Sequence, residues 1–172
     1  MACSAISAGV LNGCSDGNGG LEAIFIANGK VESITEVGGV VSAITVGGSA
    51  LTPADFFKFE TPRQTSSVSE SATGDVSQGT TIYEQTVILI LNQLQATTRD
   101  QLALMFQADS MVVVAKTNMG DFLSIGLERG AYGVSATTTS GVNFADGAKY
   151  EITISGIEAK PMMFIDAAIV EA

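Results

Sequence analysis

The residues that could do chemistry in this chain are few. There is no histidine, so the commonest general base is missing and a Ser-His-Asp arrangement cannot be built. The two cysteines, Cys3 and Cys14, stand in the N-terminal stretch MACSAISAGVLNGC, far from any companion base. Two cysteines do not make a disulfide framework, and free thiols in a reducing compartment are the simpler expectation. Carboxylates are plentiful, yet Glu32 and Glu36 alternate along VESITEV as the solvated face of a strand would. Asp16, Asn18 and Glu22 around SDGNGGLE faintly echo a calcium loop, but the full ligand pattern is absent and a glycine-rich turn explains them. Neither a GxGxxG nor a Gly-Lys-Ser/Thr phosphate loop occurs. The expectation is a protein with no catalytic residues, no metal and no cofactor.

Charge points the same way. Eighteen acids against eight bases give a net charge of −10, spread along the chain. Such a surface repels nucleic acid, because gripping phosphates takes clustered Lys and Arg. It becomes functional only where DNA must pass without sticking; otherwise it keeps a protein soluble. The N-terminus lacks the basic residues of a secretory signal, and LNGC before Ser15 is a weak lipoprotein-like match. Runs such as VILIL (87–91) and MVVVA (111–115) are far below the ~20 apolar residues that span a bilayer. They read as core strands, and no membrane association is expected.

The elements that would carry these residues are mostly strands. LEAIFIANGKVESITEV (21–37) reads as a hairpin about Asn28-Gly29, and Gly38-Gly39 leads to VVSAITV (40–46), completing a three-stranded meander. FFKFE (56–60) is expected to pair with TIYEQTVILIL (80–91). TTRDQLALMFQAD (97–109) reads as the one helix, with Thr98 and Gln101 at capping-box spacing and an apolar stripe of Leu102, Met105 and Phe106. MVVVAKT (111–117), DFLSIGLE (121–128), AYGVSATTT (131–139), AKYEITISGIEA (148–159) and MMFIDAAIV (162–170) follow as strands, with Asp146-Gly147 as a hairpin turn. The fold class is mainly β: a sandwich or barrel of about ten strands in a single domain, residues 1–172, with one flanking helix.

One segment resists this scheme. Residues 61–80, TPRQTSSVSESATGDVSQGT, are polar and follow directly on an apolar run. Ordering them costs roughly 20 kcal/mol in backbone entropy, and Val68, Ala72 and Val76 offer little apolar surface in return. In extended form Ser66, Val68, Glu70 and Ala72 share one face and Thr65, Ser67, Ser69 and Ser71 the other, and neither reads as a core face. The segment is expected to be an arm that pairs by its backbone edge with another subunit, or else a flexible surface loop.

The order GGLEAIFIANGKVESIT, FFKFE, polar arm, YEQTVILIL, helix, MVVVAKTNMGDFLSIGLERGAYGVS and YEITISGIEAKPM resembles the tail-tube family of bacteriophage virion proteins, whose relatives include secretion-system tubes. It is also similar to structural proteins of phages infecting Bacteroidota. The resemblance is one of pattern over most of the chain and carries no diagnostic motif. It implies a homo-oligomeric ring, usually a hexamer, stacked into a tail or neck tube in a virion assembled in the host cytoplasm. Partners would be further copies of the chain and other tail or neck proteins, with DNA as passing cargo. The acids on predicted strands, Glu22, Glu32, Glu36, Glu84 and Glu151, are then candidates to face the lumen. Thr65, Ser66, Val68, Glu70, Ala72 and Val76 are candidates for the assembly arm. Alternatives are another virion part (head–tail completion, capsid decoration or minor tail protein) or a carbohydrate-binding adhesin sandwich. The last would usually present aromatic platforms, whereas the chain has no Trp and only Tyr83, Tyr132 and Tyr150.

Overall fold

The computed structural model describes residues 18–171 except 76, 93 and 144. Cys3, Cys14, Asp16 and Val76 therefore lie outside the described residues. Twelve strands form two sheets, so the mainly β, sandwich-like class holds, but among the described residues neither sheet closes into a barrel.

The larger sheet contains β1 (Leu21–Asn28), β2 (Val31–Val37), β3 (Val40–Val46), β4 (Ser49–Ala50), β5 (Phe57–Glu60), β8 (Met111–Thr117), β9 (Phe122–Ile125) and β12 (Phe164–Ile165). Its order is β2-β3-β12-β9-β8-β1-β5, with β4 also on β3. The smaller sheet is β10 (Tyr132–Thr139), β11 (Lys149–Glu158), β7 (Thr80–Asn92) and β6 (Ser67–Asp75), in that order. Helix α1 (Ala96–Gln107) closes one end of the space between the sheets, and the short helix α2 (Ala167–Val170) covers the far side of the larger one.

Strands β1 and β8 are apolar almost continuously because the larger sheet is buried on both faces. Ile24, Ile26, Val113 and Ala115 point toward the smaller sheet and meet Val87, Leu89, Ile152 and Ile154. Ala23, Phe25, Val112 and Val114 point the other way, into a second core with Val41 and Ile44 of β3 and Ile169 and Val170 of α2.

This two-sided burial overturns two expected pairings. β1 is flanked by β5 and β8 on its two edges, so it has no edge left for β2, and Asn28-Gly29 does not close a hairpin. Gly29, at φ 115°, turns the chain out of the sheet; a side chain there would strike Val46 at 2.5 Å. FFKFE likewise pairs with β1 and not with β7. The β2–β3 hairpin about Gly38-Gly39 forms as expected.

Other expectations shift by a few residues. The helix starts at Ala96, so Thr98 lies inside its first turn and does not cap it: the chain passes from the end of β7 at Asn92 almost directly into the helix. Leu102 and Met105 are buried, while Phe106 stays partly exposed with its ring against Gly133. The β10–β11 ladder stops at Thr139 and Lys149, so Asp146-Gly147 belongs to a longer loop. In that loop the Asp146 carboxylate accepts from the N–H groups of Asn143 (2.8 Å) and Val142 (3.0 Å). MMFIDAAIV yields only the two residues of β12, because Asp166 accepts from Ala168 N–H (3.0 Å) and starts α2.

The sheets approach most closely where β9 ends. A Cβ on Gly156 of β11 would lie 2.6 Å from Gly126 Cα and 2.8 Å from Gly126 N. Gly156→Ala should therefore destabilise the fold by about 1–3 kcal/mol, since backbone cannot yield as a side chain does. Gly147→Ala, with open space around it, should stay within about 0.5 kcal/mol. Urea denaturation of both variants checks this, and equal midpoints would show that the sheets can slide apart.

Candidate functional site

The candidate site begins with the polar segment that the sequence could not place. Residues 67–75 are not a detached arm: they form β6 and pair along their whole length with β7 of the same chain. By itself the segment cannot offset its ordering entropy. The long strand β7 supplies it with a full ladder of hydrogen bonds, and β6 in turn lays one face on the body.

That face is the one carrying Ser66, Val68 and Glu70. Thr65 is exposed and donates to Pro62 O (2.7 Å) within the preceding turn, where Gln64 takes φ 62°. Ser66 is buried, and its Oγ accepts from Ile90 N–H (3.1 Å). Val68 packs against the inter-sheet core. The half-buried Glu70 accepts from Met162 N–H (2.6 Å) and Gln85 Nε2 (3.1 Å). Ala72 is exposed near the hairpin tip. At that tip Asp75 accepts from Ser77 Oγ (2.6 Å) and Ser77 N–H (2.9 Å), which holds its carboxyl below the ordinary range.

The five candidate acids are all exposed, but the structure does not bring them together. Glu84 and Glu151 share the outer face of the smaller sheet; Glu151 pairs with Ile90, six positions along β7 from Glu84 (90 − 84). Glu22, Glu32 and Glu36 lie on the larger sheet. Glu22 pairs with Lys116 (3.4 Å), which also holds Glu171 (2.7 Å). Glu32 accepts from Gly48 N–H (2.8 Å), fastening β2 to the β3–β4 turn. Glu36 shares a shallow groove with Glu32, Glu128 and Lys160. Of the faint calcium-loop residues, Asn18 is exposed and Glu22 is committed to Lys116. Among the described residues no group of three or more His, Cys, Asp and Glu is placed to hold a metal ion.

Apart from Glu84, Lys149 and Glu151, the outer face of the smaller sheet carries mostly small and β-branched residues. One cross-strand row runs Ser67, Ile88, Thr153, Ser135 from β6 to β10, and another joins Ile90, Glu151 and Thr137. Both margins of this sheet lack a partner strand among the described residues. They also lack most of the usual guards against pairing, namely lysine, proline and short length. β6 is nine residues long with no Lys or Pro and no register shift; its charges are Glu70, engaged by Gln85 and Met162 on the inward face, and Asp75 at the hairpin tip. β10 has no charged residue and only one irregularity, between Gly133 and Ser135. The margins of the larger sheet are better guarded. β2 carries Glu32, Glu36 and two register shifts, and β5 is four residues long with Lys58 and Glu60.

Sequence reasoning missed the buried polar seam that fixes this sheet. Gln85, 2% exposed, accepts from Gly126 N–H (2.9 Å) through Oε1 and donates through Nε2 to Glu70 (3.1 Å) and Lys160 O (3.3 Å). Ser155 Oγ donates to Gln85 O (3.2 Å). Beside it Glu158, 3% exposed, accepts through Oε1 from the N–H groups of Arg129 (2.8 Å) and Glu128 (3.1 Å). The available signal was parity: in YEQTVILIL the inward positions are Gln85, Val87 and Leu89, so a glutamine stands in line with core residues.

The chain matches no family model, no curated protein and no solved structure. No helix among the described residues is long and apolar enough to cross a membrane.

Replacing Gln85 with Leu keeps the volume but strips partners from Gly126 N–H and from the Glu70 carboxylate. Gln85→Leu should cost about 1–3 kcal/mol for each buried group left unpaired. Ser69→Ala, on the outer face, should stay within about 0.5 kcal/mol. Chemical denaturation measures both; a neutral Gln85→Leu would mean that water can serve the seam.

Proposed function

We propose that this protein is a self-assembling structural protein. Its copies join edge to edge through the four-stranded sheet into a closed ring, and rings stack into a tube. The observation that carries the reading is the pair of weakly guarded margins, β6 and β10, on one sheet.

Strand direction makes the two margins complementary. Successive neighbours in the order β10-β11-β7-β6 are antiparallel, so β6 and β10 run in opposite directions. Rotation about an axis along the strands preserves direction. The β6 of one copy would thus meet the β10 of the next as an antiparallel pair, the more stable kind. Such a contact is head-to-tail, and it closes into a ring when the rotation divides the circle.

Read with the sequence resemblance, the ring is a phage tail or neck tube, of six copies by analogy with that family, acting in the virion. The outer face of the smaller sheet would then line the lumen. Its serines, threonines and isoleucines give DNA phosphates little to hold, and Glu84 and Glu151 repel them, with Lys149 on the same face as a single opposing charge beside Glu151. Glu22, Glu32 and Glu36 would face elsewhere. The partners in this reading are further copies, other tail or neck proteins, and DNA as cargo. The chain would catalyse nothing.

Electron microscopy of the purified parent should show rings or tubes. Ser69→Lys with Ser71→Lys guards the β6 margin and should leave unfolding within about 0.5 kcal/mol per site while abolishing assembly. A parent that stays monomeric over a wide concentration range, or a double variant that assembles as well as the parent, overturns the reading. In assembled material, Glu84→Lys with Glu151→Lys should add DNA retention that weakens with salt. Unchanged retention would place those residues outside the lumen.

A further inference from the structure

Edge assembly makes no use of the most deeply buried acid. Glu158 stands at the end of β11 under the turn 126–130, which leads from β9 into β10. Its Oε1 takes the N–H groups of Glu128 and Arg129, as described above. Its Oε2 is also buried and meets no hydrogen-bond donor among the described residues. The adjoining cavity, lined by Gln85, Ser124, Glu128 and Met163, is about 10 Å³, room for at most one water.

The turn above it is closed on itself. Glycines in the left-handed region stand at both ends, Gly126 at φ 63° and Gly130 at φ 94°, and Gly130 N–H donates to Gly126 O (2.9 Å). It is fastened by Gln85 on Gly126 N–H, by Glu158 on the N–H groups of Glu128 and Arg129, by Lys160 on the Glu128 carboxylate, and by Ala131 exchanging hydrogen bonds with Met111 (2.9 and 3.0 Å). β10 begins at the following residue.

We propose that Glu158 is a proton-operated latch on the 126–130 turn, and through that turn on the margin strand β10. A neutral carboxyl still accepts both N–H bonds through Oε1 and carries its proton as an uncharged O–H on Oε2, which a single water in the cavity can accept. Loss of the proton leaves a buried anion on Oε2 with no donor, and the relief available is to lift the turn and admit water. Neutral Glu158 holds the turn shut; ionised Glu158 loosens it.

The surrounding charges do not cancel this. Glu128 and Arg129 lie on the turn itself, and Glu128 is engaged by Lys160 Nζ (2.6 Å). Glu36 of β2 faces Lys160 across the groove, and Glu70 of β6 is taken up by Gln85 and Met162. Burial is the largest influence on Glu158 and raises its carboxyl above the ordinary value; the N–H bonds from Arg129 and Glu128 oppose it, the Glu128 charge adds to it and the Arg129 charge subtracts from it. The folded protein thus holds the proton more tightly than the unfolded chain. This contribution to stability is complete below the ordinary carboxylate range and is lost as pH rises from there through the raised folded value.

The latch does not rest on the assembly reading, and it is legible in a monomer. The test is a carbon-detected NMR titration of the Glu158 carboxyl in the full chain, with amide exchange followed from about pH 4 to about pH 8 and corrected for intrinsic rates. Glu158 should titrate above the ordinary carboxylate value. Protection at Glu128 and Arg129 should fall at least about tenfold through that titration. The Thr117–Asp121 turn should show no such step. Glu158→Gln should make protection of the 126–130 turn independent of pH; if that variant does not fold, the parent titration decides alone. Titration at or below the ordinary value, protection unchanged through it, or the same pH dependence in Glu158→Gln overturns the proposal.

Discussion

The two sheets touch backbone to backbone at Gly126 and Gly156, and much of the rest follows from that contact. At 2.6 Å from a would-be Cβ there is no room for a side chain between the layers. A backbone N–H caught in such a junction cannot reach water, so it needs a partner from within. Gln85, paired with Gly156 across β7 and β11, is the residue in position to supply one. Its remaining donors then draw in Glu70 and Lys160 O, and the seam extends to the segment before β12. A half-satisfied network of this kind would be worse than an apolar core, which is why its members are completed by backbone groups from several elements.

The seam also explains how a polar hairpin can belong to a small β protein. β6 offers the body only Ser66, Val68 and Glu70 from its inward face, yet each is engaged, two of them by hydrogen bonds to backbone N–H groups. Its ladder with β7 does the rest, and its outer face is left to serine and threonine. β6 is held on one side only, and the same holds for β10 at the opposite margin. The smaller sheet is rigidly seated by its middle strands and open at its margins, which is the geometry that supports an assembly role.

Burial on both faces of the larger sheet sorts the charge. β1 and β8 carry no acids in their interiors, and the acids of this sheet stand at the β1 start and on the marginal strands β2 and β5. The net charge is thus spread over at least two surfaces, and only Glu84 and Glu151 of the five candidate acids share the smaller sheet.

The sequence by itself determined the strands, since alternation and turn residues act locally. β3, β8, β10 and β11, the helix to within two residues and the Gly38-Gly39 hairpin were all legible, as was the missing histidine. Tertiary structure decided which strands pair. Asn28-Gly29 has the chemistry of a hairpin turn, but both edges of β1 pair elsewhere, with β5 and β8, and β2 pairs with β3. FFKFE went to β1 and not to β7, a long-range pairing that no local signal announces. The polar segment found its partner in β7, because a backbone ladder does not depend on side-chain hydrophobicity and so leaves no trace in composition. Gln85 and Glu158 acquired their roles only when distant chain segments met, since a glutamine or glutamate on a strand looks solvent-facing until the opposite layer is known.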